Sequence, residues 1–359
     1  MGTFRFVLAL AVLMAHVATS IGASVVNRQS LHILVWSGNA VFAFFIISGF
    51  YMSLIVNEKY AKLPNGRWRF YANRALRLYP IHWTILLIYA AAYVASGTPS
   101  FLTGAYREPL GRWLYAVGAN TFFFGVEVLP IRDVANWKFV VGPIWSLSIE
   151  FYFYLLAPFV VGRSLRALTA LCAIALSFRL ALYLFDVPML PWRYFFFPAD
   201  LVFFLMGSLS YRLYAWLQGR SMARYLGAGA AALLALCIVS PALWTAPDLD
   251  QPIAWLFYAC VWICTPLLFN LTRASKLDNA LGQLSYPIYL SHVLVIDVVR
   301  GLDLGHVDKG LVATVVTIVL SAALYIVVDR PIERIRRRLG SGHATTGGPR
   351  TAVTMPVAG

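Results

Sequence analysis

Apolar runs of about 17 or more residues recur along this 359-residue chain, separated by short segments that hold most of its charge. That alternation leaves few folds open. A helix of about 20 such residues crosses a hydrocarbon layer about 30 Å thick, and only helices and closed barrels satisfy every backbone group in that layer. Apolar residues make up 60% of the chain and charged residues 12%. Soluble domains run nearer 45–50% and about 25%, so a water-soluble core cannot absorb the excess. The sequence predicts an all-α, polytopic membrane helix bundle.

Reading runs and breakers places ten spans, at 4–20, 36–56, 78–97, 144–162, 167–185, 195–215, 225–243, 252–271, 281–299 and 309–329. Ten spans put both termini on one side. With the N-terminus cytoplasmic, the segments on that side hold 20 Lys and Arg residues and those on the other side 8, as the positive-inside rule requires. Arg5 followed by apolar and then small residues also fits a cleavable signal peptide. A histidine inside the apolar stretch, and the spans that follow, favour an uncleaved first helix.

Residues 109–130 are apolar but broken by Gly111, Gly118 and Asn120, and are expected to be interfacial or re-entrant on the outer side. Residues 1–339 read as one transmembrane domain. The stretch 340–359, rich in Gly, Thr, Ala and Pro, reads as a disordered cytoplasmic tail.

The net charge of +14 lies between the spans while the aromatics lie within them, which argues against nucleic-acid binding. Cys172, Cys237, Cys260 and Cys264 fall in apolar runs without metal-ligand spacing and read as small core hydrophobes. No Walker-type phosphate loop, Gly-x-Ser-x-Gly elbow or His-Glu-x-x-His motif is present, so ATP-driven transport and metal-dependent hydrolysis have no support.

An ionisable group inside a span needs a partner, a cavity or a task. His16 lies eleven residues beyond Arg5, which puts it within about 20° of the same helical face and about 16 Å further along the axis. It serves either as interhelical packing glue or as a functional imidazole. Arg74 and Arg77 share a face at i and i+3. They form either a positive-inside flank or a pair of forks for a polyphosphate. In the segment Gly142–Tyr152, Glu150 sits about two turns into a helix that follows Pro143. Its carboxylate either orients a histidine or neutralises a membrane cation such as Arg179. His82, His292, Asp200 and Asp297 are weaker candidates, for which structural roles come first.

Taken in order, these residues resemble the membrane acyltransferase family 3. Arg5 with His16 is similar to its Arg-x10-His, Phe44-Phe45-Ile46-Ile47-Ser48-Gly49 to its Phe-Phe-x-x-Ser-Gly, and Arg74 to Arg77 with Pro80 to its Arg-x-x-Arg. Trp145-Ser146-Leu147-Ser148-Ile149-Glu150, then Ser285 to His292, and Asp329-Arg330-Pro331 complete the series. The chain has Phe42 and Phe151 where the family often has acids, and Asp329 where it often has Glu.

The resemblance implies a membrane-bound O-acyltransferase that takes acyl-CoA, most simply acetyl-CoA, as donor and uses no metal. Its acceptor would be a carbohydrate hydroxyl, as in a surface polysaccharide or lipid-linked glycan, and its location a bacterial inner membrane. It implies His16 as base or acyl carrier, Glu150 as its partner, and Arg5, Arg74 and Arg77 as donor-binding residues. Ser48, Trp145, Ser146 and His292 would line the pocket. The alternative is a transporter or flippase in which His16 and Glu150 relay protons.

Overall fold

A computed structural model describes residues 1–22, 37–96, 110–128, 141–220, 222–239 and 249–340. Twelve α-helices lie among them, and no strand. In chain order these are α1 (Gly2–Ser20), α2 (Ser37–Glu58), α3 (Gly66–Ser96), α4 (Leu110–Phe122), α5 (Ile144–Val160) and α6 (Leu165–Leu184). There follow α7 (Phe197–Leu217), α8 (Met222–Val239), α9 (Pro252–Thr272), α10 (Lys276–Gly301), α11 (Lys309–Leu324) and α12 (Arg330–Gly340). The loop bases Arg28, Arg107, Arg132 and Lys138 and the expected tail beyond residue 340 lie outside the described residues.

Each of the ten expected spans falls on a helix, but among the described residues only seven helical stretches are both long and apolar enough to cross a membrane. Ile144–Val160 and the apolar part of α8, Leu226–Cys237, are shorter. Helix α10 has the length, but its apolar pattern is diluted by Asp278, Asn279, Gln283, His292 and Asp297.

The outer surface of the bundle is apolar as well as its core. Ile174 and Leu184 on α6 are each 67% exposed while Arg179 on the same helix is fully buried, the distribution expected where the surrounding solvent is hydrocarbon. The chain is an integral membrane protein.

Two close helix crossings set the frame. Helix α2 packs most extensively on α7, and α1 on α10. A Cβ built at Gly49 would lie 2.0 Å from the Phe204 carbonyl oxygen, and one at Gly207 would lie 1.9 Å from that of Ile46, so glycine on both helices lets the backbones touch. At the second crossing a Cβ on Gly2 would meet the Asp278 carbonyl oxygen at 1.7 Å.

Asp278 anchors the head of α1 there, accepting from the Gly2 and Thr3 amides at 2.8 and 2.9 Å and from Thr3 Oγ1 at 2.9 Å. Burial works to raise this carboxyl, but those donors and the Met1 amino group outweigh it and hold it down at about 2. The two crossings bring α1, α2 and α10 together around one space, with α3 and α5 closing it.

The segment expected to be interfacial or re-entrant forms α4, a chain reversal with positive φ at Phe123 and Gly125, and a short 3-10 turn Val126–Val128. Its end is buried in protein. The carbonyls of Asn120, Thr121, Phe122 and Phe123 face donors on α3 and α5, namely the His82 ring, Trp83 Nε1, the Tyr79 hydroxyl and Ser148 Oγ. Helix C-termini leave four carbonyls without internal partners, and here side chains satisfy them.

Candidate active site

Between α1, α2, α3, α5 and α10 lies a partly open pocket, with about 680 Å³ of empty space when its open mouth is included. Arg5, Ser48, Tyr51, Arg74, Ser146, Glu150, Tyr286 and Tyr289 supply its polar lining, and Val41, Phe44, Phe45 and Ile47 part of its apolar wall. Four residues singled out from separate sequence segments, Arg5, Ser48, Arg74 and Glu150, therefore meet in one space.

Helix periodicity explains how α5 serves it. Ser146 and Glu150, four residues apart, face the pocket. Ser148 and Tyr152 face another way and both hydrogen-bond the buried Glu127 carboxylate, Tyr152 at 2.8 Å. Trp145 turns to a third side, with ring centroids 4.4 Å from Tyr194 and 4.9 Å from Phe195, and does not line the pocket.

Glu150 accepts a hydrogen bond from Ser48 Oγ, which places the α2 Ser-Gly step against α5. Tyr154 faces both the Glu150 carboxylate and the Arg74 guanidinium. Ser146 Oγ shares a 2.7 Å hydrogen bond with Tyr289 and donates to the Pro143 carbonyl at 2.8 Å. Arg5 lies over Tyr51, 5.9 Å from the ring centroid. Of the two readings of Glu150, neutralising Arg179 is ruled out. Arg179 is instead held by Asp250 at 2.5 Å and Asp200 at 2.8 Å, between the rings of Phe42 and Phe203 at 4.6 and 4.7 Å. Phe42, where an acid was expected from the resemblance, is thus a cation–π partner of a buried arginine.

His16 stands apart from this lining. Its Nδ1 is 2.8 Å from the Val12 carbonyl oxygen, and since a carbonyl can only accept, Nδ1 carries a proton, which makes Nε2 the basic nitrogen of the neutral ring. The side chain in ring contact with it is His292, centroids 4.9 Å apart, and no hydrogen bond joins it to Glu150. His292 is fully buried. Its Nδ1 faces the Ile288 carbonyl at 3.2 Å, and its Nε2 has no partner among the described residues. Tyr289, three residues earlier on α10, lines the pocket and lies 6.1 Å from His292 between ring centroids. The two imidazoles lie behind that wall, about 16 Å along α1 from Arg5.

The arrangement is a cation-bearing pocket, with a pair of imidazoles outside its lining and further along α1. Comparison with known families decides its class: the family model described as an acyltransferase domain matches residues 2–326. The chain belongs to acyltransferase family 3. No curated protein and no solved structure gave a match. The matched stretch of this acyltransferase runs from the head of α1 into the π-helical turn Tyr325–Asp329 after α11, and contains every residue of the pocket.

Among the described residues no cluster of three or more His, Cys, Asp or Glu could hold a metal ion. The sequence did not mark Tyr51 or Glu127, and Tyr154 and Tyr286 stood out only as members of motif segments, without a role. Tyr286 and Tyr289 at i and i+3 on α10 were the available signal for one wall, because that spacing turns both towards α1 and α2.

Proposed function

We propose that this acyltransferase moves an acyl group, most simply acetyl, from acyl-CoA to a carbohydrate hydroxyl, with the donor entering from the cytoplasmic side of a bacterial inner membrane. The observation that carries the reading is the convergence of Arg5, Arg74, Ser48 and Glu150 on one pocket, with His16 further along the helix that supplies Arg5. Guanidiniums bind the phosphates of the donor through charge-assisted hydrogen bonds, and the apolar wall of Val41, Phe44 and Phe45 takes its extended arm.

In the reaction, His16 Nε2 takes the proton of the acceptor hydroxyl as that oxygen attacks the thioester carbonyl. The new carbon–oxygen bond forms, the carbon–sulfur bond breaks, and the departing CoA thiolate recovers the proton from His16. Glu150 does not touch the imidazole in this arrangement. Its negative charge instead lies within electrostatic reach of Arg5 and beside Ser48, where it orders the donor end of the pocket.

The test uses purified protein in lipid vesicles without a gradient, supplied with labelled acetyl-CoA and a glycan acceptor, with the product read by mass spectrometry as an added acyl mass. Transfer is expected, and His16→Ala should lower it by about 100- to 10,000-fold, the range of a general base. Intact acetyl-CoA in the presence of well-folded wild-type protein would refute the reading.

A further inference from the structure

Helix α12 lies beyond the family match and inverts the usual amphipathic pattern. With the preceding turn, its buried stripe is Asp329, Glu333 and Arg336, spaced by four and three residues, while Ile335 is 52% exposed. A surface helix normally buries its apolar face. This one turns charge inward, against α3.

It is docked there by polar bonds. Asn73 Nδ2 donates to the Arg336 carbonyl at 3.1 Å, Arg69 to the Leu339 carbonyl at 3.3 Å, and Arg77 to Asp329 at 2.5 Å. The docking packs three guanidiniums together. Arg74, Arg77 and Arg336 are only 5%, 4% and 4% exposed, and Arg336 lies within electrostatic reach of the other two. Lys59 adds a further cation within reach of Arg74 and Arg336.

Against them stands one shared acid. Among the described residues, Asp329 bonds Arg77 and lies 3.8 Å from Arg336, Arg74 donates to the neutral Asn73 amide oxygen at 2.7 Å, and Glu333 is taken by Arg337 at 2.7 Å. Four guanidinium nitrogens, Arg74 Nε, Arg77 Nη2, and Arg336 Nε and Nη1, have no hydrogen-bond acceptor among the described residues. Burying like charges without a counter-anion is unfavourable, and an acid that ties down only one fork leaves the other donors directed at an absent acceptor. Arg74 belongs to both the cluster and the pocket lining, so the two are continuous.

We propose that α12 completes a polyphosphate-binding site in which Arg336 joins Arg74 and Arg77 to hold the phosphates of a nucleotide-bearing donor. The assignment to a donor rests on the acyl-CoA reading above; the anion site itself does not. Asp329 is the positioning residue that holds the Arg77 fork in place.

The experiment compares acetyl-CoA with acetyl-pantetheine, which carries the same thioester without nucleotide or phosphates. In the wild type the specificity ratio, kcat/KM for acetyl-CoA over that for acetyl-pantetheine, should be large. Arg336→Gln should reduce the ratio by about tenfold or more through KM for acetyl-CoA, and Arg336→Lys by less, because it keeps charge but loses the fork. Arg334→Gln, an exposed arginine of the same helix, controls for loss of charge alone and should keep the wild-type ratio.

A second arm measures binding of inorganic pyrophosphate to wild type and Arg336→Gln by calorimetry, with weaker binding expected in the variant. An unchanged ratio in Arg336→Gln, or an equal loss with both donors, would overturn the site while leaving the acyl-CoA reading standing. Pyrophosphate binding that depends on Arg336 in a protein inert towards acetyl-CoA would do the reverse.

Discussion

At His292 the demands of packing and of a reaction can be told apart. Its Nδ1 proton is directed at the Ile288 carbonyl, its ring is fully buried against His16, and its Nε2 has no donor among the described residues. Leaving such a nitrogen unsatisfied costs about 1–3 kcal/mol, whereas phenylalanine would fill much the same volume at no such cost. A purely packing role therefore predicts that His292→Phe is neutral or stabilising and leaves turnover alone. A nitrogen that accepts a hydrogen bond from protonated His16 or from the acceptor hydroxyl predicts a split outcome. On the mechanism above, His292→Phe should melt at or above the wild-type temperature and yet lose about tenfold or more in kcat. Melting curves alongside initial rates on the same preparations check both halves, and unchanged kcat would reduce His292 to packing. From the sequence alone His292 was one weak candidate among several, because its contact with His16 is made across 276 residues and only the α1–α10 crossing creates it.

At the scale of elements, legibility follows whether a signal is local. The spans were readable because each apolar run carries its own length, and the three faces of α5 follow from periodicity once the helix is granted. What was not readable was which face meets what. Glu150 had two possible roles, and the structure shows neither contact: Asp250 and Asp200 hold Arg179 from 71 and 21 residues away, and Glu150 takes Ser48, not the imidazole. Helix α10 is less apolar than the other spans because it buries Asp278, Ser285, Ser291 and His292 against its neighbours, while Asp297 stays exposed beside Arg300. The Ser48-Gly49 pair was open to both pocket and packing readings, and the structure gives it both, Ser48 on Glu150 and Gly49 on the α7 backbone. Gly49→Ala would put a methyl group 2.0 Å from the Phe204 carbonyl, and backbone on that side cannot swing away as a side chain would. The α2–α7 crossing must open, and with it the position of Ser48. The expected result is a loss of about 2 kcal/mol or more in stability, measured as lower thermal resistance in detergent, together with reduced activity. Ser48→Ala, which keeps the crossing intact, should retain the melting temperature within a few degrees. If Gly49→Ala melts like the wild type, the close approach is not what holds α2 on α7.

For the molecule as a whole, the charge asymmetry makes a prediction about orientation that the bundle alone does not. Arg5, Arg74, Arg77, Arg336 and the Asp278 anchor gather at one end, where α1 and α10 begin and α12 docks. The links from α5 to α6 and from α9 to α10 carry Arg163 and Arg273, and the first turns that follow carry Arg166 and Lys276, in keeping with that end being the cytoplasmic one. The opposite end carries the link between α10 and α11, with His306 exposed. If the donor is cytoplasmic, the cationic end must face it. Cysteine placed at Ser164, the exposed N-cap of α6, should then react with a membrane-impermeant maleimide only after permeabilisation of intact cells. Cysteine at His306 should react before permeabilisation. The native cysteines lie within α6, α8 and α9, where the reagent has poor access and gives a low background. The reverse pattern would place the guanidinium cluster outside the cell, away from the CoA pool, and would remove the physical basis for a cytoplasmic acyl-CoA donor whatever the chemistry at His16.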